Sequence, residues 1–184
     1  MRLHLQGILL ALTFSTVAAS AQVGIYGNFA AVNLSNNGGA ANFWAYGPGA
    51  GLYYDFLHFG PIRIGGDLRG NRLWGNEVDY WSGLGGVRLV VKPPVLPFRV
   101  YVQGSAGVGG SKASGNPGNL PNSYSNKFQY DVFGGTDFTL LPHIDWRVVE
   151  LGYGRMSGGN AGTAASSSGV FTLSSGIVLR LPTF

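Results

Sequence analysis

Apolar and polar residues alternate along most of the chain after residue 22. No window holds a 3.6-residue period over about eleven positions, whereas eight segments show the period of two that is typical of half-buried β-strands. Clusters of Gly, Pro, Asn and Ser separate these segments. The predicted strands span residues 23–34, 43–58, 62–74, 79–92, 98–110, 127–140, 144–157 and 169–181.

The connections between the predicted strands are of two kinds that alternate. One kind is short and contains proline, at 58–61, 92–97 and 141–144; the other is richer in Gly, Asn and Ser, at 35–42, 111–126 and 157–168, with the short 75–79 in the same series. Up-and-down barrels have tight turns at one rim and longer loops at the other. The sequence therefore predicts an all-β fold, an eight-stranded antiparallel up-and-down transmembrane β-barrel with both ends at the short-turn rim.

The first 21 residues have the pattern of a secretory signal peptide. Arg2 precedes an apolar run from about Gly7 to Ala18, and the small residues Ala19-Ser20-Ala21 follow it. The run is shorter than the roughly 20 residues that a membrane-spanning helix needs. We expect cleavage after Ala21, which leaves 22–184 as a single barrel domain.

The two faces of the predicted strands differ in polarity. In 43–58, one parity carries aromatic residues and leucine, whereas the other carries glycines and Asp55. A soluble sandwich would turn its apolar face inward and its charges outward. Because the apolar face is large and nearly free of charge, the pattern favours the inverted arrangement, with lipid outside.

The inward parity predicts a closed ionic core. An eight-stranded barrel has an interior just wide enough for side chains, and ions trapped there must be paired because an uncompensated buried ion costs several kcal/mol. The orientation of the fourth strand is ambiguous, and the seventh needs either a bulge near Val148–Val149 or a charge at an interface. The expected lumen network comprises Asp55, Asp67, Asp131, Asp137 and Glu150 with Arg63, Arg69, Arg88, Arg99 and Arg147.

Composition narrows the range of functions. Charged residues are only 11% of the chain, glycine accounts for 31 residues, and there is no cysteine, so neither disulfides nor thiolate chemistry is available. The net charge of +4 is scattered rather than gathered in a basic stripe, so no nucleic-acid partner is expected.

Aromatic residues are expected to form two girdles at the membrane interfaces. A surface on which a sugar or another ligand stacks is the alternative. The expected girdle residues are Trp44, Tyr46, Trp74, Tyr80 and Trp81 near the outer rim, and Phe56, Phe59, Phe98, Phe138 and Trp146 near the periplasmic rim.

These features resemble the small outer-membrane β-barrels of the OmpA/OmpX type. The resemblance covers residues 22–184 and is one of architecture: a signal peptide, eight alternating segments, alternating turns and loops, and a strand that runs to the aromatic Phe184. It implies a Gram-negative-type outer membrane with its lipid as partner, and recognition by the barrel-assembly machinery. In this chain the apolar set Ile177, Leu179 and Leu181 is one position out of phase with Phe184.

Catalytic and metal sites are poorly supported. Some barrels of this type modify lipids with a His, a Ser and an acidic residue near the outer rim. After the signal peptide only His58 and His143 remain, and both lie in short turns at the opposite rim, with no Ser nearby in sequence. Without cysteine and with separated histidines, neither a metal site nor a cofactor is expected.

The expected function is therefore non-enzymatic, a structural or surface-interaction role in the cell outer membrane. An extracellular ligand would bind through loops 35–42, 111–126 and 157–168. The competing functions are a narrow porin-like channel for ions or small solutes and an outer-membrane lipid-modifying enzyme. A soluble lipocalin-like secreted barrel is the architectural rival.

Overall fold

The computed structural model describes residues 22–36, 42–114, 123–157 and 167–181. The predicted signal peptide, most of the three longer loops and Phe184 lie outside these residues. The eight strands are β1 (Gln22–Asn36), β2 (Asn42–Phe59), β3 (Ile62–Leu73), β4 (Val78–Val91), β5 (Phe98–Ala113), β6 (Ser125–Leu141), β7 (Ile144–Ser157) and β8 (Ser167–Leu181).

The strands form a closed antiparallel barrel in sequence order. Each strand pairs with the next, and β8 pairs with β1 from Val23↔Leu181 to Asn36↔Ser168, so no strand edge is left open. The predicted all-β, eight-stranded antiparallel barrel is confirmed. Within the described ranges, no helix is long and apolar enough to cross a membrane.

The connections define two rims. The short-turn rim holds the β2–β3, β4–β5 and β6–β7 turns together with Gln22 and Leu181. Gly60 opens the β2–β3 turn with φ at 59°, a left-handed conformation that glycine adopts without a Cβ clash. The strand ends that are joined by the β1–β2, β3–β4, β5–β6 and β7–β8 connections form the long-loop rim.

Side chains alternate between the two faces of the wall. The outward face exposes large apolar residues, among them Phe29, Leu68 and Val132, each more than half exposed. The inward face buries carboxylates, arginines, glutamines and tyrosines. On β4, Arg88 points inward with Leu84 and Val90, and Val87 and Leu89 point outward.

A bulge in β7 resolves the parity of that strand. The register against β8 shifts between Arg147 and Glu150, and Val148 and Val149 are both exposed. The extra residue lets Asp145, Arg147 and Glu150 all point into the barrel, where each is buried.

Inward glycines keep the interior narrow. A Cβ on Gly107 would meet the main chain of Gly83 and Leu84, whereas a Cβ on the outward Gly104 of the same strand would meet nothing within 4 Å. Only the inward position therefore requires glycine for steric reasons.

We predict that Gly107→Val destabilises the barrel by about 1–3 kcal/mol or prevents its closure, because a packed interior cannot absorb the added volume. Gly104→Val is the matched control and should leave stability unchanged or slightly higher, since glycine weakens a strand. The heat-dependent gel mobility of the refolded variants and their urea midpoints measure this. Equal tolerance of the two substitutions would contradict the close packing.

Candidate functional site

The centre of the barrel is organised around the Glu150 carboxylate. Both of its oxygens accept hydrogen bonds from Arg69, at 3.0 and 3.1 Å, and Arg147 Nη1 lies 3.4 Å away. Tyr101 and Ser174 donate their hydroxyl protons to the same carboxylate, at 2.7 and 3.0 Å. Four strands, β3, β5, β7 and β8, therefore meet at one buried acid, through charge-assisted hydrogen bonds that are roughly twice as strong as neutral ones.

Arg69 also connects the Glu150 carboxylate to a second buried carboxylate, that of Asp67. Its Nε lies 3.1 Å from Asp67 Oδ1, and Asp67 accepts further hydrogen bonds from Tyr26 and from Gln103 Nε2 at 2.7 Å. The guanidinium carbon of Arg69 lies 4.0 Å from the centroid of the Phe133 ring. A planar cation with five donors suits this role, since it can bind two carboxylates and stack on an aromatic face.

A second group of ions lies towards the short-turn rim. Arg147 Nε contacts Asp137 at 3.1 Å, and Arg99 forms an ion pair with Asp145, which also contacts Arg180 Nε at 3.0 Å. The pKa of Lys92, in the adjacent turn, is lowered mainly by partial burial. The nearby charges of Arg180, Arg99 and Arg63 lower it further. Arginines are thus concentrated at this end of the interior.

Arg88 and Asp55 form a looser pair. Their closest atoms are 3.8 Å apart, and the Arg88 guanidinium lies 3.9 Å from the Tyr53 ring centroid and 4.9 Å from that of Tyr101. Neither side chain makes a direct hydrogen bond to a protein group. This pair is therefore held by charge attraction and ring stacking and not by direct hydrogen bonds.

Not all of the ten residues expected in the lumen network are ion-paired. Asp131 is buried but accepts its hydrogen bond from Gln129, and Arg63 donates to Gln22 at 2.6 Å. Asp145 and Arg180 join the network although they were not among the ten. Ion pairs connect Asp55, Asp67, Arg69, Arg88, Arg99, Asp137, Arg147 and Glu150.

An apolar cluster that the alternating pattern did not predict packs in the interior at the long-loop rim. Its inward side chains are fully or almost fully buried, and the hydroxyl of Tyr80 joins the cluster to the polar network by donating to Gln129 at 2.8 Å. The apolar cap, as we name this cluster, consists of Ala30, Val32, Leu34, Ala45, Leu73, Val78, Tyr80, Met156 and Val170, with Phe43 packed against it.

Most of the aromatic residues expected in the girdles lie on the outward face near a rim. Tyr80 is the exception, because it is 1% exposed and points into the apolar cap. At the long-loop rim these residues are Trp44, Tyr46, Trp74 and the half-buried Trp81; at the short-turn rim they are Phe56, Phe59, Phe98, Phe138 and Trp146.

The two histidines of the described residues lie at the short-turn rim. Neither imidazole nitrogen of His58 has a hydrogen-bond partner, and His143 is exposed in the β6–β7 turn. In the part of the chain that the structure describes, no hydrogen bond joins either imidazole to a serine or a carboxylate. Within the same ranges, no three His, Asp or Glu side chains are grouped to hold a metal ion.

We predict that Glu150→Leu destabilises the folded barrel by about 3–5 kcal/mol, because Arg69 and Arg147 are left as buried charges without their shared partner. Asp79→Asn is the control, since it removes a pair with Lys112 that is partly exposed at the rim and should cost no more than about 1 kcal/mol. Urea unfolding in lipid vesicles measures both. Equal losses would show that the central acid has no special role.

No protein-family model and no curated protein sequence matches the chain. Several solved structures, however, have a similar backbone fold. Neisserial surface protein A aligns with a TM-score of 0.62 at 14% identity, covering 88% of this chain and 99% of that one. Ail of Yersinia pestis, in complex with the heparin analogue sucrose octasulfate, gives 0.52 at 16% identity, covering 88% and 99%.

The outer-membrane enzyme PagL aligns as well, with a TM-score of 0.52 at 13% identity, covering 85% of this chain and 99% of that one. At these identities the likeness concerns the backbone architecture alone. The chain therefore has the fold of the small eight-stranded outer-membrane β-barrels, as its alternating pattern predicted.

Proposed function

We propose that the protein is an integral outer-membrane barrel with a non-enzymatic structural or surface-interaction role and a lumen closed to solutes. The outward face carries large exposed apolar side chains around the whole wall, a surface that water does not favour and lipid does. The solved structures with the same fold are outer-membrane proteins, which supports the same location here.

The filled interior is the observation that carries this proposal. A permeating ion would have to pass Arg69 and Glu150, whose hydrogen bonds span the centre of the barrel. It would then meet the apolar cap, whose buried side chains carry no charge that could replace its hydration shell. A polar blockage and an apolar one in series oppose a continuous water-filled path through the described part of the barrel, as in small barrels filled by their own side chains.

A role at the cell surface is supported by the asymmetry of the two rims. The short-turn rim has compact turns, whereas segments 35–42, 111–126 and 157–168 all connect strands at the other rim. Most of these loop residues lie outside the described ranges, so loop recognition rests on their polar, glycine-rich composition. Ail, which has the same fold, is seen with a heparin analogue.

The competing functions make different demands on the interior. A narrow channel needs a water-filled route, and the apolar cap opposes one. A lipid-modifying enzyme needs a base near the outer rim, and PagL shows that this fold can host an enzyme. Here His58 and His143 lie at the short-turn rim, and among the described residues no hydroxyl nucleophile is in hydrogen-bond contact with either.

We predict that the refolded protein gives no sustained single-channel openings in planar lipid bilayers, because ions and the apolar cap both block the lumen. Arg69→Ala should lower stability, since Glu150 and Asp67 lose their shared cation, and should still give no conductance because the apolar cap remains.

Sustained openings of the wild-type protein, with a change of ion selectivity in Arg69→Ala, would establish the channel instead. Refolded protein that stays soluble without detergent would contradict the membrane location itself and favour a lipocalin-like secreted barrel.

A further inference from the structure

The charges on the outward face are confined to the long-loop rim. Among the strand residues described, this face carries Arg72, Asp79, Lys112 and Arg155. Asp79 and Lys112 pair with each other at 3.2 Å. Arg72 has no carboxylate partner within the described residues; its guanidinium instead lies 4.9 Å from the Tyr124 ring centroid and 5.8 Å from that of Trp74. It is an exposed cation at the level where a barrel meets lipid headgroups.

Trp74, whose ring centroid lies 5.8 Å from the Arg72 guanidinium, also lines a hollow of about 350 Å³ with both aromatic and polar walls. Trp44 and Tyr46 stack with ring centroids 6.2 Å apart and planes 11° apart, and Trp74 flanks them. Hydrogen-bonding groups complete the lining, namely Asn42, Asn76 and Glu77. Flat aromatic surfaces next to amide and carboxylate groups suit a ligand with an apolar ring face and polar edges, such as a sugar.

On the other side of Arg72 a groove runs down the outward wall. Its upper part, about 360 Å³, lies between Pro48 and Arg72, and its lower part, about 400 Å³, reaches Leu84 and Ala106. Ala50 and Gly70 belong to both parts, so the groove is continuous. A Cβ on Gly70 would meet nothing closer than 3.7 Å, which shows that the groove is open space and not a close backbone contact.

The strand register places these three features in one line. Tyr46 pairs with Trp74 at the rim, and Ala50 pairs with Gly70 further down the same two strands. Arg72 lies between these two pairs on β3. A single elongated molecule along β2 and β3 would therefore contact the aromatic hollow, then the cation, then the apolar groove.

We propose that this face binds a phosphorylated glycolipid of the surrounding membrane, with its sugar in the hollow, its phosphate on Arg72 and an acyl chain in the groove. This assignment rests on the proposed membrane location. Arginine presents a planar fork of donors that matches phosphate oxygens, and its stacking on Trp74 and Tyr124 holds the fork at the rim.

The combination favours a lipid over other occupants. A soluble sugar phosphate would fill the hollow but leave the groove empty, and a second copy of the chain would bring few acids to Arg72, because its own outward face carries a single strand carboxylate, Asp79, within the described ranges. A phosphorylated glycolipid matches all three features by charge and polarity.

The test uses the refolded protein in detergent micelles, with native mass spectrometry to follow retention of added lipid A. Arg72→Gln should weaken retention roughly tenfold, the loss expected for one charge-assisted contact. Gly70→Leu should weaken it by filling the groove. The controls are Arg155→Gln, on the opposite side of the barrel, and Gly134→Leu, an outward glycine with equally open surroundings whose nearest atom is 3.9 Å away; both should bind as the wild type does.

Lipid A without its phosphates supplies the third comparison and should bind the wild type about as weakly as intact lipid A binds Arg72→Gln. Equal binding of lipid A with and without phosphate, or equal losses in Arg72→Gln and Arg155→Gln, would overturn the site. Heat-dependent gel mobility reports membrane-type folding separately. A chain that folds and inserts but shows no phosphate preference refutes the lipid site alone, whereas a chain that never inserts refutes the membrane proposal as well.

Discussion

The hydrogen bonding of Glu150 inside a narrow cylinder is the constraint on which the rest of the structure depends. The carboxylate is bound by Arg69, Arg147, Tyr101 and Ser174, and so links β3, β5 and β8 to its own strand, β7. Ions can be buried here only because each has partners, since a lone charge in such a place costs several kcal/mol. The wall outside is then free to be apolar, which is the inverse of a soluble sheet.

The interior changes character along the barrel axis. Towards the short-turn rim it is ionic and arginine-rich, its centre is a dense hydrogen-bonded network, and near the long-loop rim it becomes the apolar cap. Tyr80 joins the last two regions, with its ring in the cap and its hydroxyl on Gln129. A barrel filled in this way is a rigid platform. Under the proposed function, specificity belongs to what the long-loop rim and the outward wall present, because the central ion pairs and the apolar cap occupy the described part of the lumen.

Much of this arrangement could be predicted from the sequence because the period of two fixes which residues share a face. The eight strands and the inward direction of Asp67 and Arg69 follow from parity, and the alternation of turns and loops follows from their lengths and composition. Parity alone leaves the orientation of β4, and with it that of Arg88, ambiguous. Parity fails where a bulge intervenes. Asp145 and Glu150 have opposite parity in sequence, and only the extra residue at Val148 brings both inside.

Other features depend on three-dimensional packing that a single strand does not reveal. Tyr80 is an aromatic residue near a rim, as girdle residues are, but its position on β4 directs its side chain inward. The apolar cap draws three residues from β1 and one or two from each of β2, β3, β4, β7 and β8, too few on most strands to be distinguished from the lipid-facing set. Asp131 and Arg63 point inward as parity requires, yet they lie beside Gln129 and Gln22 instead of opposite charges.

The most direct test of the inverted arrangement uses the four tryptophans of the chain, Trp44, Trp74, Trp81 and Trp146, all on the outward face near a rim. The protein is refolded into vesicles of phosphatidylcholine with brominated acyl chains, and its fluorescence is compared with that in unbrominated vesicles and with quenching by aqueous acrylamide. We expect strong quenching by the lipid bromines and weak quenching by acrylamide, because the tryptophans face lipid. Fluorescence that the lipid leaves unchanged and acrylamide quenches would place the tryptophans in water and contradict the inverted arrangement.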